Sequence, residues 1–214
     1  MSEQGAIPLG KAPIYPGVDE SKYEGLPTLG DLVTVKIGPY LGPAGVFSVT
    51  PDEARAAGLP PEVLVRAVDC DDIEDGHLGA TTKRYAIQTR PDARPCEPVM
   101  RHLRKHIDAL SGDEAKSSDW MPPETWHGRD LSQASLMVPR IATSPKAVWV
   151  PPAALAINHD LSILSGDLEL LARVKRALEG ELAAQWMREH MPPIENGYHT
   201  LNTERLRMMP IELD

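Results

Sequence analysis

Thirty-seven of the 214 residues are proline or glycine, 21 and 16 of them respectively. Each proline fixes φ and removes a backbone donor, and each glycine adds freedom that folding must take away. A chain punctuated this often is built from short elements and plentiful loops, with few long helices. One segment runs against that trend. From Asp167 to about His190, the residues Leu171, Val174, Leu178, Leu182 and Trp186 recur at intervals of three and four, which predicts a helix with one apolar stripe. Gly180 stands inside it, where a helix can break in two.

The remaining signals are shorter. Val33, Val35 and Ile37 alternate with Thr34 and Lys36, the period of a strand, and residues 46–49 read as the strand returning after a tight Gly/Pro loop. Thr50-Pro51-Asp52-Glu53 is a helix start, with a capping residue, Pro at N1 and acids in the first turn; that helix stops at Gly58. A short helix is expected from Pro60 to about Val65. Residues 83–89, 136–141, 146–150, 153–158 and 162–164 read as strands. Residues 96–110 read as a helix carrying Val99, Leu103, Ile107 and Leu110 on one side. Residues 69–79 read as an acidic, solvated loop, and residues 111–135 as a polar loop. Residues 1–27, with four prolines and four glycines, read as an extended arm whose Ile7, Leu9, Ile14 and Tyr15 could pack along a body. The sum is an α+β chain: the arm (1–27), a domain with irregular loops (28–165), and a C-terminal helical segment and tail (166–214).

The charge is uneven. The net value is −9, which excludes a uniformly cationic binder of polyanions, and 42% hydrophobic with 25% charged residues is globular composition. Residues 83–106 nevertheless carry seven basic side chains against Asp92 and Glu97. Two cysteines, Cys70 and Cys96, are too few for a disulfide scaffold and suit a reducing cytosol. No apolar run approaches the ~18 residues that span a bilayer. The first five residues offer neither the basic nor the apolar region of a signal peptide. A cytoplasmic protein, with no membrane partner, is expected.

Several kinds of active site are not written here. His102 and His106 have helical spacing for a metal, but Leu103-Arg104-Lys105 between them supplies cations and no Glu, so solvated histidines are expected rather than zinc ligands. The acids at 69–75 lack calcium-loop spacing. Pro91-Asp92 with Glu114-Ala115-Lys116 is the outline of a metal-dependent nuclease core, although Glu114 and Lys116 fall in a loop-like stretch. No phosphate-binding loop, nucleophile elbow or dinucleotide fingerprint is present.

Three segments together resemble one family. Leu29-Gly30-Asp31-Leu32 with Val35, Gly38 and Val46-Phe47-Ser48-Val49 is similar to the opening of the target-recognition domain of adenine-N6 DNA methyltransferases, of the TaqI-like or Eco57I-like C-terminal kind. Leu136-Met137-Val138-Pro139-Arg140-Ile141 resembles that domain's central strand. Leu170-Leu171, Asn196-Gly197 and Met209-Pro210-Ile211 resemble its closing pattern. The resemblance spans about residues 28–211. The chain departs from it at Gly42-Pro43-Ala44-Gly45, and in beginning where the recognition domain begins. Amino-methyltransferases hold the target amino group with Asp/Asn/Ser-Pro-Pro-aromatic. None of the four Pro-Pro pairs here, at 60–61, 122–123, 151–152 and 192–193, has such neighbours.

The resemblance implies a mixed-sheet recognition domain in a bacterial modification or phage-defence system. It would be a non-catalytic specificity subunit that reads double-stranded DNA at the nucleoid for a separate adenine-N6 methyltransferase subunit. No cofactor is expected in this chain; S-adenosylmethionine would sit in the partner. Lys36, Arg84, Arg101, Arg104, Lys105, Arg129, Arg140 and Lys146 are the candidates for phosphate or guanine, and Asn158 and Asn196 for adenine. Ile7, Leu9, Ile14 and Tyr15 are the candidates for the partner interface. The alternatives are a DNA-mimicking anti-restriction inhibitor, suggested by the acidity, and a metal nuclease using Asp92, Glu114 and Lys116.

Overall fold

The structure, a computed structural model, describes residues 17–106 and 120–213. In chain order its elements are α1 (Leu29–Leu32), β1 (Thr34–Ile37), β2 (Ser48–Val49), α2 (Pro51–Ala57), β3 (Leu64–Val68), β4 (Ile73–Glu74), β5 (His77–Leu78), β6 (Arg84–Ile87), α3 (Glu97–His106), β7 (Ser135–Val138), β8 (Ile141–Ala142), β9 (Val148–Val150), β10 (Ala154–Ala156), β11 (Leu161–Leu164), α4 (Leu168–Leu178), α5 (Glu181–His190), β12 (His199–Thr200) and α6 (Thr203–Arg207). The fold is α+β with a mixed sheet, as the sequence predicts. Two compact units interleave along the chain. Unit 1 takes residues up to Ile37, then Ser135–Val148, then those from Leu161 onward; unit 2 takes Gly38–Ala134 and Trp149–Asp160. No helix among the described residues is long and apolar enough to cross a membrane.

Unit 1 is built around the long apolar stripe. Within it β11 pairs antiparallel with β1 on one side and with β7 on the other, and the register places Val35 beside Ile163 and Ile163 beside Leu136. Those three are fully buried, together with Leu171, Val174 and Leu178 of α4 and Ala183, Trp186 and Met187 of α5. Each such aliphatic side chain contributes ~2 kcal/mol by leaving water. Asp167 starts α4 by accepting from the backbone N–H groups of Glu169 (2.9 Å) and Leu170 (3.0 Å). The helix does break at Gly180, which becomes the N-cap of α5. Within the segment read as an arm, Glu20–Tyr23 form a 3-10 turn and Tyr23 joins the core. Its hydroxyl donates to Glu189 (2.8 Å), and Lys22 pairs with the same carboxylate (2.7 Å). Ile7, Leu9, Ile14 and Tyr15 lie outside the described residues.

Unit 2 has the sheet β10-β3-β6-β2, with β10 parallel to β3 and the other pairs antiparallel. Phe47, Ile87, Leu155 and Ile157 pack there with Ala54 of α2 and Val99 and Leu103 of α3. The helix start at Thr50 is as expected: its hydroxyl accepts from the Glu53 N–H (3.2 Å), and the Glu53 carboxylate accepts from the Thr50 N–H (2.7 Å).

Four expectations change. Residues 46–49 do not return beside β1: β1 pairs with β11, whereas β2 pairs with β6. Gly38 shows why the chain leaves at that point. A Cβ there would meet the carbonyl oxygens of Ala156, Ile157 and Asp160 at 2.8–2.9 Å, so only glycine lets the backbone press against that turn. The short helix expected at 60–65 is a 3-10 turn, Pro61–Val63, followed by the central strand β3. There Val65 and Val68 suit the pleat better than a helix. The acidic stretch 69–79 is not a solvated loop. Asp69 and Asp72 are both 2% exposed, and β4 and β5 form a hairpin. Finally, His102 is buried, because its ring finds a partner in the Val46 carbonyl (Nε2 to oxygen, 2.9 Å).

Candidate nucleic-acid interface

The polar centre of unit 2 starts from the turn between β10 and β11. Asn158 and His159 both take positive φ, 55° and 67°, and the Asp160 N–H closes the turn on the Ile157 carbonyl at 3.1 Å. Asn tolerates this backbone better than most residues. The Asn158 Nδ2 donates to Asp69 Oδ2 at 2.6 Å, and Arg84 Nη1 of β6 donates to the same oxygen at 2.5 Å. Asp69 is held in turn. Its Oδ1 accepts from the Asp71 N–H (3.1 Å), and its own N–H donates to Asp72 Oδ2 (3.0 Å). Asp160, also buried, accepts from the Cys70 N–H at 2.6 Å. The acidic run therefore forms an internal scaffold, and one carboxylate oxygen organises two of the residues singled out from sequence.

A cavity of about 390 Å³ opens beside this scaffold, with Gly42, Gly45, Ser48, Lys83, Arg84 and Asn158 in its wall. Gly42 and Gly45 both have φ of 86°, which glycine supplies at no steric cost. Lys83 donates to the Asp71 carbonyl (2.7 Å) and stands 3.5 Å from Asp72 Oδ1. Burial, and then Asp160, Asp71 and Asp69, push the Cys70 thiol up to about 11. At neutral pH it is a thiol, with no nucleophilic thiolate.

The second feature of unit 2 is α3. Val99, Met100, His102 and Leu103 are buried, while Arg101, Arg104 and Lys105 are exposed on the same helix; Arg104 lies 3.7 Å from Glu97. His102 keeps this cationic face in place by holding α3 to the loop that ends at Val46. Burial holds its imidazole below the ordinary histidine range. A neutral ring bonded to a carbonyl through Nε2 carries its proton there. Arg129 is half-buried, and burial lowers its guanidinium below the ordinary arginine value, opposed by Glu124.

The other candidates belong to unit 1. Lys36 is exposed on β1, paired in register with Ser162 of β11. Arg140 is exposed between β7 and β8, and its carbonyl accepts from the Leu201 N–H at 2.7 Å. Lys146 is exposed. Asn196 is exposed with φ of 59° in the 3-10 turn Glu195–Gly197. In unit 2 the structure thus brings Arg84 and Asn158 together and places Arg101, Arg104 and Lys105 on one helix. Asp69 was missed by sequence reasoning. The one signal for it is the Asp69-x-x-Asp72 spacing of a reciprocal cap.

The nuclease outline gains no geometry. Asp92 is exposed in a turn, hydrogen-bonded to Arg90 (3.1 Å), which holds its carboxyl below the usual range. Glu114 and Lys116 lie outside the described residues. Among the described residues, no group of three His, Cys, Asp or Glu side chains could hold a metal ion.

No protein-family model and no curated protein matches the chain. Among solved structures, the type IIL restriction-modification enzyme MmeI, in complex with DNA, shares its fold with a TM-score of 0.60 at 14% identity, over 86% of this chain and 25% of that one. The type IIG restriction endonuclease BpuSI matches with a TM-score of 0.48 at 13% identity, over 87% of this chain and 24% of that one. The chain spans about a quarter of the length of these enzymes. At 14% identity the likeness to MmeI is one of fold.

Proposed function

We propose that this chain is a DNA-reading specificity subunit that serves an adenine-N6 DNA methyltransferase carried on a separate polypeptide. The observation that supports it most is the fold shared, over 86% of the chain, with a quarter of a restriction-modification enzyme whose structure was solved in complex with DNA. The motif resemblance to target-recognition domains points the same way. In this reading the chain is not itself an enzyme. Base extrusion and methyl transfer belong to the partner, which binds S-adenosylmethionine. Arg101, Arg104 and Lys105 contact phosphates and set the register on the duplex, while side chains of the loops read base edges. The complex works in the bacterial cytoplasm, at the nucleoid.

The test is co-expression with a methyltransferase subunit that lacks its own recognition domain. The complex should methylate adenine in one sequence. This chain alone should bind no S-adenosylmethionine in calorimetry and should bind DNA weakly, with a shallow salt slope, because its cationic surface is small. Stoichiometric cofactor binding by the isolated chain, or tight and sequence-blind DNA binding, would overturn the proposal.

A further inference from the structure

We propose that Asn158 is a base-reading residue, and that the buried Asp69, which also holds Arg84, is the residue that positions it; this rests on the DNA-reading function proposed above. Asp69 Oδ2 accepts from both side chains, at 2.5 Å and 2.6 Å, from a position only 2% exposed to solvent. A carboxylate accepts and does not donate, so it fixes which end of the Asn158 amide faces it. Nδ2 points to Asp69, and Oδ1 with the second Nδ2 hydrogen is left for a ligand. That pair of one acceptor and one donor matches the N6 amino group and N7 of adenine on its major-groove edge.

The surroundings favour a base edge over a phosphate. The two cations in the cavity wall are already met by acid: Arg84 by Asp69 and Asp72, Lys83 by Asp72 and the Asp71 carbonyl. Glu53 also lines the cavity, and its bonds to Thr50 hold its carboxyl below the usual range. A phosphate entering there would approach more negative charge than positive. A neutral, flat, hydrogen-bonding group meets no such penalty, and a volume of about 390 Å³ has room for it. Holding both side chains from behind also reduces the rotamer freedom that binding would otherwise have to remove.

The experiment is selection from a randomised double-stranded DNA library at low salt, using the full chain with its methyltransferase subunit. Asn158→Gly removes the amide and keeps a residue that accepts positive φ, so the turn survives. We expect N158G to lose, by about tenfold or more, the preference for adenine at a single position of the enriched sequence. All other positions should be unchanged. Asp69→Asn should blur the same position, even at temperatures where circular dichroism shows the variant folded. An N158G profile identical to wild type, or an equal loss at every position, overturns this role of Asn158 while leaving the subunit's DNA reading intact. If the wild-type complex enriches no sequence, the DNA-reading function fails and this inference with it.

Discussion

Unit 1 and unit 2 bury similar sets of aliphatic side chains but treat charge in opposite ways. In unit 1, α4 and α5 lay an apolar stripe on β1, β11 and β7, and the ion pairs around them, such as Lys22 with Glu189, stay partly open to water. In unit 2 all three buried carboxylates of the described residues, Asp69, Asp72 and Asp160, accept hydrogen bonds from backbone N–H groups of the 69–71 loop. A buried carboxylate is costly unless it is paired and fully bonded. What it offers is direction, because it fixes donors at set angles where an apolar contact would only exclude water. Unit 1 is therefore held mainly by apolar packing, and unit 2 by directed hydrogen bonds as well.

The sharpest way to break that contrast is Asp69→Ala. It leaves Arg84 and Asn158 without their shared acceptor, and loss of one partner of a buried pair costs about 3–5 kcal/mol. Urea denaturation should show a large fall in midpoint. If charge in unit 2 serves direction more than stability, the double variant Asp69→Leu with Arg84→Met should lose less than the sum of the single changes.

Leu171→Ala tests the other half of the comparison. Leu171 is fully buried in unit 1, so the cavity should cost about 3 kcal/mol in the same assay, without altering the base preference of the complex. A changed preference would mean that the packing of unit 1 takes part in base reading.

Replacing Arg101, Arg104 and Lys105 together with Ala should move stability by less than about 0.5 kcal/mol, since all three are exposed. In the complex proposed above, the same change should weaken DNA binding roughly equally across sequences and lower its salt slope by about 2–3.

The smallest effect expected is a pH dependence from His102. Its folded-state value lies below the unfolded one because the ring is buried, so the unfolded chain takes up the proton first as pH falls. The contribution of His102 is fully present above the unfolded value of 6.5 and is lost progressively on acidification below it. In His102→Gln that part of the slope of melting temperature against pH should disappear. A slope of opposite sign would show that the histidine is charged in place.

The helix over residues 168–190, its break at Gly180 and the start at Thr50 were written locally. Apolar spacing and capping act within a few residues, so a reader of the sequence sees the same interactions that the chain does. The exposed cations of α3 were legible for the same reason. The partners of β1 and β2 were not, because strand pairing is chosen between residues far apart. Thr34 meets Leu164, and Val49 meets Tyr85, with no mark of either at the strand itself. Nor could the sequence distinguish the acids that face water from those that do not. Asp69, Asp71 and Asp72 are the same residue type, yet only the arrival of Arg84 and Asn158, 15 and 89 positions away, makes burying Asp69 tolerable. Composition and period decided which segments fold; the pairing of distant donors with a buried acceptor, a property of the assembled unit alone, decided where a site could form.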